Sequence, residues 1–296
     1  FSTWHTFFMS IFQTNNASIS AISIGGRNLD SSACLVSLGD VSINGTNIVT
    51  MDSCSAAIVG TFNTTNSSGI HITGSESGSI TVYDGNPITG CGNCAPAPVG
   101  VSGALPTTPS YPIPTSPNAL APVYNSKTKF WTYYPCTYTS PVKFTKKDSY
   151  LLTNASYGGA YVFTKGFDTN SASVSNSPGG VSIYVPGNQT LTLTGDVTLS
   201  APTPTGCVAG SAVVISHPYS SIYNPVTLGG SNDHLNLTGI VSLTADNITV
   251  SGTSANLIIT GSLIANSLRL DGNMTPSFSP NPCNNYYIPG RPVLLE

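Results

Sequence analysis

Charge is what this sequence has least of. Only 7% of its 296 residues are Asp, Glu, Lys or Arg, against about 25% in an ordinary soluble domain, so the surface has to be built from Ser, Thr, Asn, Gly and Tyr. The net charge is -3, and six of the nine basic residues are confined to Lys127, Lys129, Lys143, Lys146, Lys147 and Lys165. No basic stripe runs along the rest of the chain, and the electrostatic footprint that nucleic acid demands is missing. No apolar run approaches the roughly 18 residues of a membrane-crossing helix, so no membrane span is expected. The chain opens at Phe1 without a basic leader and reads as a processed product.

Reactive constellations are equally scarce. Sugar hydrolysis needs two carboxyls at a defined separation, yet Asp40, Asp84, Asp196 and Asp271 stand singly at strand corners, where Asp usually forms turns. His5, His71, His217 and His234 are not at metal-ligand spacing. Asp233 adjoins His234, but neighbouring strand residues point to opposite faces. Gly-x-Ser-x-Gly does not occur, and Gly158-Gly159, Gly179-Gly180 and Gly229-Gly230 are bare pairs without a following Gly-Lys-Ser/Thr. Cys91-Gly-Asn-Cys94 runs into Ala-Pro-Ala-Pro instead of a helix that would lower a thiol pKa. The expectation is a non-enzyme with no catalytic residue, cofactor or metal.

What is present is a repeat, apolar-x-apolar-x-Gly. It appears at Val41–Gly45, Ile70–Gly74, Leu191–Gly195, Leu235–Gly239, Ile248–Gly252, Leu257–Gly261 and Leu268–Gly272. Period-two alternation marks a strand with one buried face, and the Gly supplies a corner. From Leu235 to Leu257 is 22 residues and from Ile248 to Leu268 is 20, so alternate units recur at a near-constant interval, as in a solenoid. The expected fold class is all-β: a right-handed parallel β-helix with a Pro-rich excursion and a short N-terminal helix. A β-sandwich is the alternative.

Composition divides the chain into an apolar segment over 1–30, a first β-helical portion over 31–95 and a Pro-rich excursion over 96–125. An aromatic, Lys-bearing insertion follows over 126–178, then the main β-helical portion and tail over 179–296. Eight of the 22 prolines fall between Pro96 and Pro122, biasing the chain toward extended polyproline II. Trp4, Phe7, Phe8, Ile11 and Phe12 gather on one face of a helix, either capping the solenoid or docking on another subunit. Trp131, Tyr133, Tyr134 and Tyr138 are a candidate sugar-stacking group, with core or loop packing as the alternative.

Seven cysteines in so uncharged a chain favour an oxidising compartment. The disulfide candidates are Cys34, Cys54, Cys91, Cys94, Cys136, Cys207 and Cys283. Cys34–Cys54 is favoured because each ends a strand-like unit about one coil apart; Cys91 and Cys94 pair either locally or with a distant Cys such as Cys136. Nine Asn-x-Ser/Thr sequons are present, a number that a chain this rich in Asn, Ser and Thr approaches by chance.

Val181–Val185, Leu191–Pro202, Val226–Gly230 and Leu235–Gly239, with the upstream order of Cys-bounded strands, Pro-rich excursion and Cys136-Thr-Tyr, resemble TadG-like proteins of tight-adherence (Flp) pili. The resemblance covers about two thirds of the chain and rests on simple strand repeats. It implies an extracellular or envelope-anchored, non-enzymatic component of a surface appendage. Phe1–Phe12 is shorter and more polar than the anchoring helix with which such proteins begin. The reading is therefore a structural or adhesive subunit at the cell surface, partnered by itself or other appendage subunits. A glycan-binding adhesin and a polysaccharide-cleaving enzyme are the rivals.

Overall fold

The computed structural model describes residues 24–27, 32–65, 67–74, 78–83, 85–101, 120–154, 159–203, 213–222, 226–281, 286–287 and 292–295. The chain forms two compact units. In the first, Phe1–Leu29 with Gly290–Glu296, Ile24–Arg27 pairs antiparallel with Pro292–Leu295. The second, Asp30–Pro289, is a parallel β-solenoid of about nine turns with no helix among the described residues. Trp4–Phe12, read as a helix, lies outside the described residues.

Each coil contributes a strand to each of three sheets. Ser149–Leu152, Ala160–Phe163 and Phe167–Asp168 make one coil. They pair parallel with Ala172–Asn176, Ser182–Tyr184 and Leu191–Leu193 of the next. A sandwich would need antiparallel ladders. In the solenoid unit these are confined to Val123–Asn125 against Phe130–Tyr133 and to Ser32–Ala33 against Tyr286–Tyr287, among the described residues.

The repeats fall where their period places them. Leu191, Ile248, Leu268 and Val41 lie in the third sheet, and Leu235, Leu257 and Ile70 in the first. Their apolar residues point inward and, apart from the half-buried Ile72, are essentially fully buried, each fully buried side chain of this class stabilising by about 1.5–3 kcal/mol. The extended segment His234–Met274 visits all three sheets twice, and so threads two coils. At one corner Gly45 has φ +79°, and a Cβ there would lie 2.5 Å from the Gly272 carbonyl oxygen. Handedness and close approach both require glycine.

The second sheet departs from simple alternation. Ser55–Ile58 and Ala160–Phe163 are buried on both faces, and Ala33, Val36, Ala57, Tyr83, Ile240 and Ile264 form a smaller apolar cluster separate from the main core. Two-sided burial in a parallel sheet erases the polar half of the pattern.

Spatial order differs from chain order. Leu263–Ala265 pairs with Leu35–Ser37, Leu268–Leu270 with Val41–Ile43, and Ser277–Phe278 with Thr50–Met51. The coils built by 32–101 thus stack beyond the last coils of the C-terminal portion, and the junction is a seam inside the stack. The starting end is the coil of Phe130–Tyr133, flanked by Val123–Asn125; the finishing end is the coil that includes Val99–Val101. Side chains stitch the seam: Asn44 Nδ2 donates to Asp271 Oδ1 at 2.8 Å, Thr46 to Asn273 at 2.9 Å, and the Met274 amide to Asn47 Oδ1 at 2.6 Å.

Two sequence boundaries change. The segment 126–178, read as an aromatic insertion, supplies the first coils of the stack. Tyr138, Phe144, Tyr150, Tyr161, Phe163 and Phe167 are core residues, so bulk hid the repeat: Phe144 and Tyr150 stack at 3.8 Å, and Phe163 and Phe167 at 4.4 Å. The excursion read over 96–125 is shorter, because Val99–Val101 and Val123–Asn125 are strands; residues 102–119 lie outside the described ones.

Candidate functional site at the ends of the stack

Residues able to do chemistry are dispersed among the coils. Asp40 Oδ1 accepts from the Thr61 amide at 2.7 Å across one coil. Asp168 accepts from the Asn170 amide at 2.8 Å and pairs with Lys143 at 2.9 Å. Asp271 accepts from Asn44 and from Arg269 Nε at 2.8 and 2.6 Å. Burial raises the Asp271 pKa, but those hydrogen bonds and the guanidinium charge prevail and hold it below its ordinary 3.8. Asp196 and His234 are ladder neighbours, both exposed, while Asp233 is buried. Among the described residues no group of three or more His, Cys, Asp or Glu could hold a metal ion.

His217 is one of several polar side chains buried among the coils, with Asn47, Thr169, Asp233 and Ser262. It sits beside Leu243 in the second sheet, fully buried, and its Nε2–H donates to the Gln189 carbonyl at 2.8 Å while Nδ1 has no partner. Desolvation lowers its pKa, partly offset by the Gln189 bond.

Cys34 and Cys54 are disulfide-bonded across one coil, 20 residues apart, and Cys91 pairs locally with Cys94. Cys136 is free and buried, its thiol donating to the Tyr134 carbonyl. Cys207 and Cys283 lie outside the described residues.

The four aromatics read as a sugar-stacking group are divided by the fold. Tyr138 is buried against Phe163 and Tyr161, and its hydroxyl donates to the Tyr134 carbonyl at 2.9 Å. Tyr133 packs on Phe144, Tyr138 and Tyr150. Trp131 leans on the core and meets Tyr124 at 5.1 Å, with planes tilted by 46°. Tyr134 is half-buried. Desolvation is the main cause that raises the pKa of Tyr133, Tyr138 and Tyr161, and the neutral hydroxyls of Tyr138 and Tyr161 serve as hydrogen-bond donors. The Tyr161 hydroxyl, for instance, reaches the carbonyls of Tyr133 and Thr153 at 2.7 and 2.8 Å.

Exposed apolar surface is not dispersed. Leu120, Val123, Tyr124 and Phe130 are 36–52% exposed around the first coil, and Val99 is 57% exposed on the last. Among the described residues two others are exposed, Tyr219 and Ile222, close together in sequence between His217 and Val226. Sequence reasoning missed Leu120, Val123 and Tyr124, which follow the prolines and carry no periodic signal. Strand edges are open at the same places: Val142–Lys143 pairs only with the second coil, and Ile88–Thr89 and Val99–Val101 only with the preceding one, among the described residues. Open edges invite further strands.

No known protein family, curated protein or solved structure matches the chain.

Proposed function

We propose that this protein is a non-enzymatic, extracellular structural subunit of a surface appendage that self-associates through the ends of its solenoid. The observation that carries this reading is the concentration of exposed large apolar side chains on the terminal coils, where the strand edges of Val142–Lys143 and Val99–Val101 are also open among the described residues. A solenoid buries each coil against its neighbours, so a terminal coil left bare loses half of that contact. Low charge, a cross-coil disulfide and the TadG-like strand order support placement outside the cell. Engagement of Asp40, Asp168 and Asp271 in corner hydrogen bonds supports a scaffold over a sugar-cleaving site.

The test is negative-stain microscopy with sedimentation velocity across a concentration series. Elongated assemblies that grow with concentration are expected. Isolated particles at every concentration, or release of reducing ends or unsaturated products from pectin or alginate, would sink the reading.

A further inference from the structure

The seam divides the solenoid into two parts, and among the described residues no disulfide crosses it. Residues 32–101 supply Leu35–Ser37, Val41–Ile43 and Thr50–Met51; residues 120–279 supply their partners Leu263–Ala265, Leu268–Leu270 and Ser277–Phe278. Backbone hydrogen bonds of 2.9 Å run from the Leu38, Leu268 and Thr50 amides to the carbonyls of Ala265, Asp40 and Pro276. The Cys34–Cys54 bond lies wholly inside the first part and does not lock the junction. A second copy presents the same two surfaces, so the same bonds form whichever copy supplies each side.

What differs is the connection between the parts. Within one copy, the 19 links from Val101 to Leu120 must join opposite ends of some nine turns, roughly 40 Å apart. A flexible chain of that length has a relaxed span of only about 25 Å. When the seam is made with a second copy, each copy's own parts are free to stack in chain order, with the Val99 and Phe130 coils about 4.8 Å apart. The strand edges suit that contact. Val142–Lys143 begins the third-sheet ladder and Ile88–Thr89 ends it, and the described pairings of that ladder are parallel, so one edge continues onto the other without reversal. The same contact covers Val99 together with Leu120, Val123, Tyr124 and Phe130, all exposed on the closed stack.

We propose that the seam is exchanged between copies: residues 32–101 of one copy stack on the C-terminal coils of a second. Each copy gives one surface and receives a different one, so the exchange propagates as an open filament when the rotation does not close. Lost freedom of the joined copies opposes it, which makes exchange rise with concentration. The proposal rests on the self-association reading and adds to it the surface through which copies are joined.

The experiment uses full chains with one new cysteine on either side of the seam. One pair is Thr46→Cys and Asn273→Cys, whose native side chains are exposed and hydrogen-bonded to each other; a second is Ser42→Cys and Arg269→Cys, ladder partners in the third sheet. The far-ultraviolet β signal is checked in each. The two members of a pair are unfolded in denaturant at low pH, which preserves native disulfides, then refolded as a mixture, concentrated and oxidised. A cross-link between copies, mapped to the substituted positions by peptide mass, should double the chain mass on a non-reducing gel in the assembled fraction and be absent from the monomer fraction. Both substitutions of a pair placed in one chain should cross-link within the monomer. Assemblies in which neither mixture cross-links would overturn exchange of the seam while leaving self-association standing. Failure of both doubly substituted chains to cross-link would overturn the seam and its exchange together. Protein that stays monomeric at every concentration would overturn both the exchange and the self-association reading.

Discussion

Single side chains set how this scaffold responds to acid. Burial makes protonation of His217 unfavourable in the fold, so its contribution is complete above its unfolded value of about 6.5 and declines as pH falls toward the lower folded value. Asp271 is also depressed, so the seam bonds it anchors are complete above the ordinary carboxylate range and are lost as pH falls below it. Two acid steps are expected in thermal melts. His217→Leu should flatten the first and Asp271→Asn the second; a melt indifferent to pH between 7 and about 5 would contradict the role given to His217. At the same corner, Gly45→Ala should cost about 1–3 kcal/mol, because a Cβ meets both a positive φ and the Gly272 carbonyl. Denaturant midpoints measure that loss.

A strand in this fold is stable only as one rung of a ladder. Leu263 pairs with Leu35 across the seam and is fully buried. Leu263→Ala should cost about 2–5 kcal/mol, with accelerated amide exchange in Leu35–Ser37 and Leu263–Ala265; exchange there unchanged by the substitution would contradict the pairing across the seam. The Cys34–Cys54 bond ties the seam coil to its neighbour through a loop of about 20 residues. Loss of loop-closure constraint in Cys34→Ser/Cys54→Ser should lower stability by about 3 kcal/mol. At the starting end, where only one neighbouring coil is available, stacked aromatic rings fill the interior and their hydroxyls satisfy corner carbonyls.

At the scale of the molecule, the connection from Val101 to Leu120 must join opposite ends of the stack. It has 19 links to cover roughly 40 Å. A flexible chain of that length has a root-mean-square span of about 25 Å, whereas polyproline II reaches about 59 Å. Deleting ten residues of 102–119 leaves at most about 32 Å of extended chain, too short to close the seam within one molecule. The expected result is loss of the monomer, with the seam formed between copies or left open. An unchanged monomer by sedimentation, with unchanged exchange protection at Leu263–Ala265, would contradict the coil order.

Much of the fold was legible in sequence because a solenoid repeats its own local chemistry. Val41, Leu191, Leu235 and Leu268 announce an inward face, the glycines announce corners, and the interval of 20–22 residues announces coils. Cys34 and Cys54 stand one such interval apart. Where aromatic bulk replaced aliphatic residues, from Phe130 to Phe167, the same register was present but disguised, and in the second sheet burial on both faces removed the alternation altogether. Coil order was not legible. Parallel ladders between apolar strands are nearly interchangeable, so nothing local in Leu263 or Leu35 states that they pair, across 228 residues. Only the closed stack decides that, and with it which charges and which apolar side chains are left at the two ends.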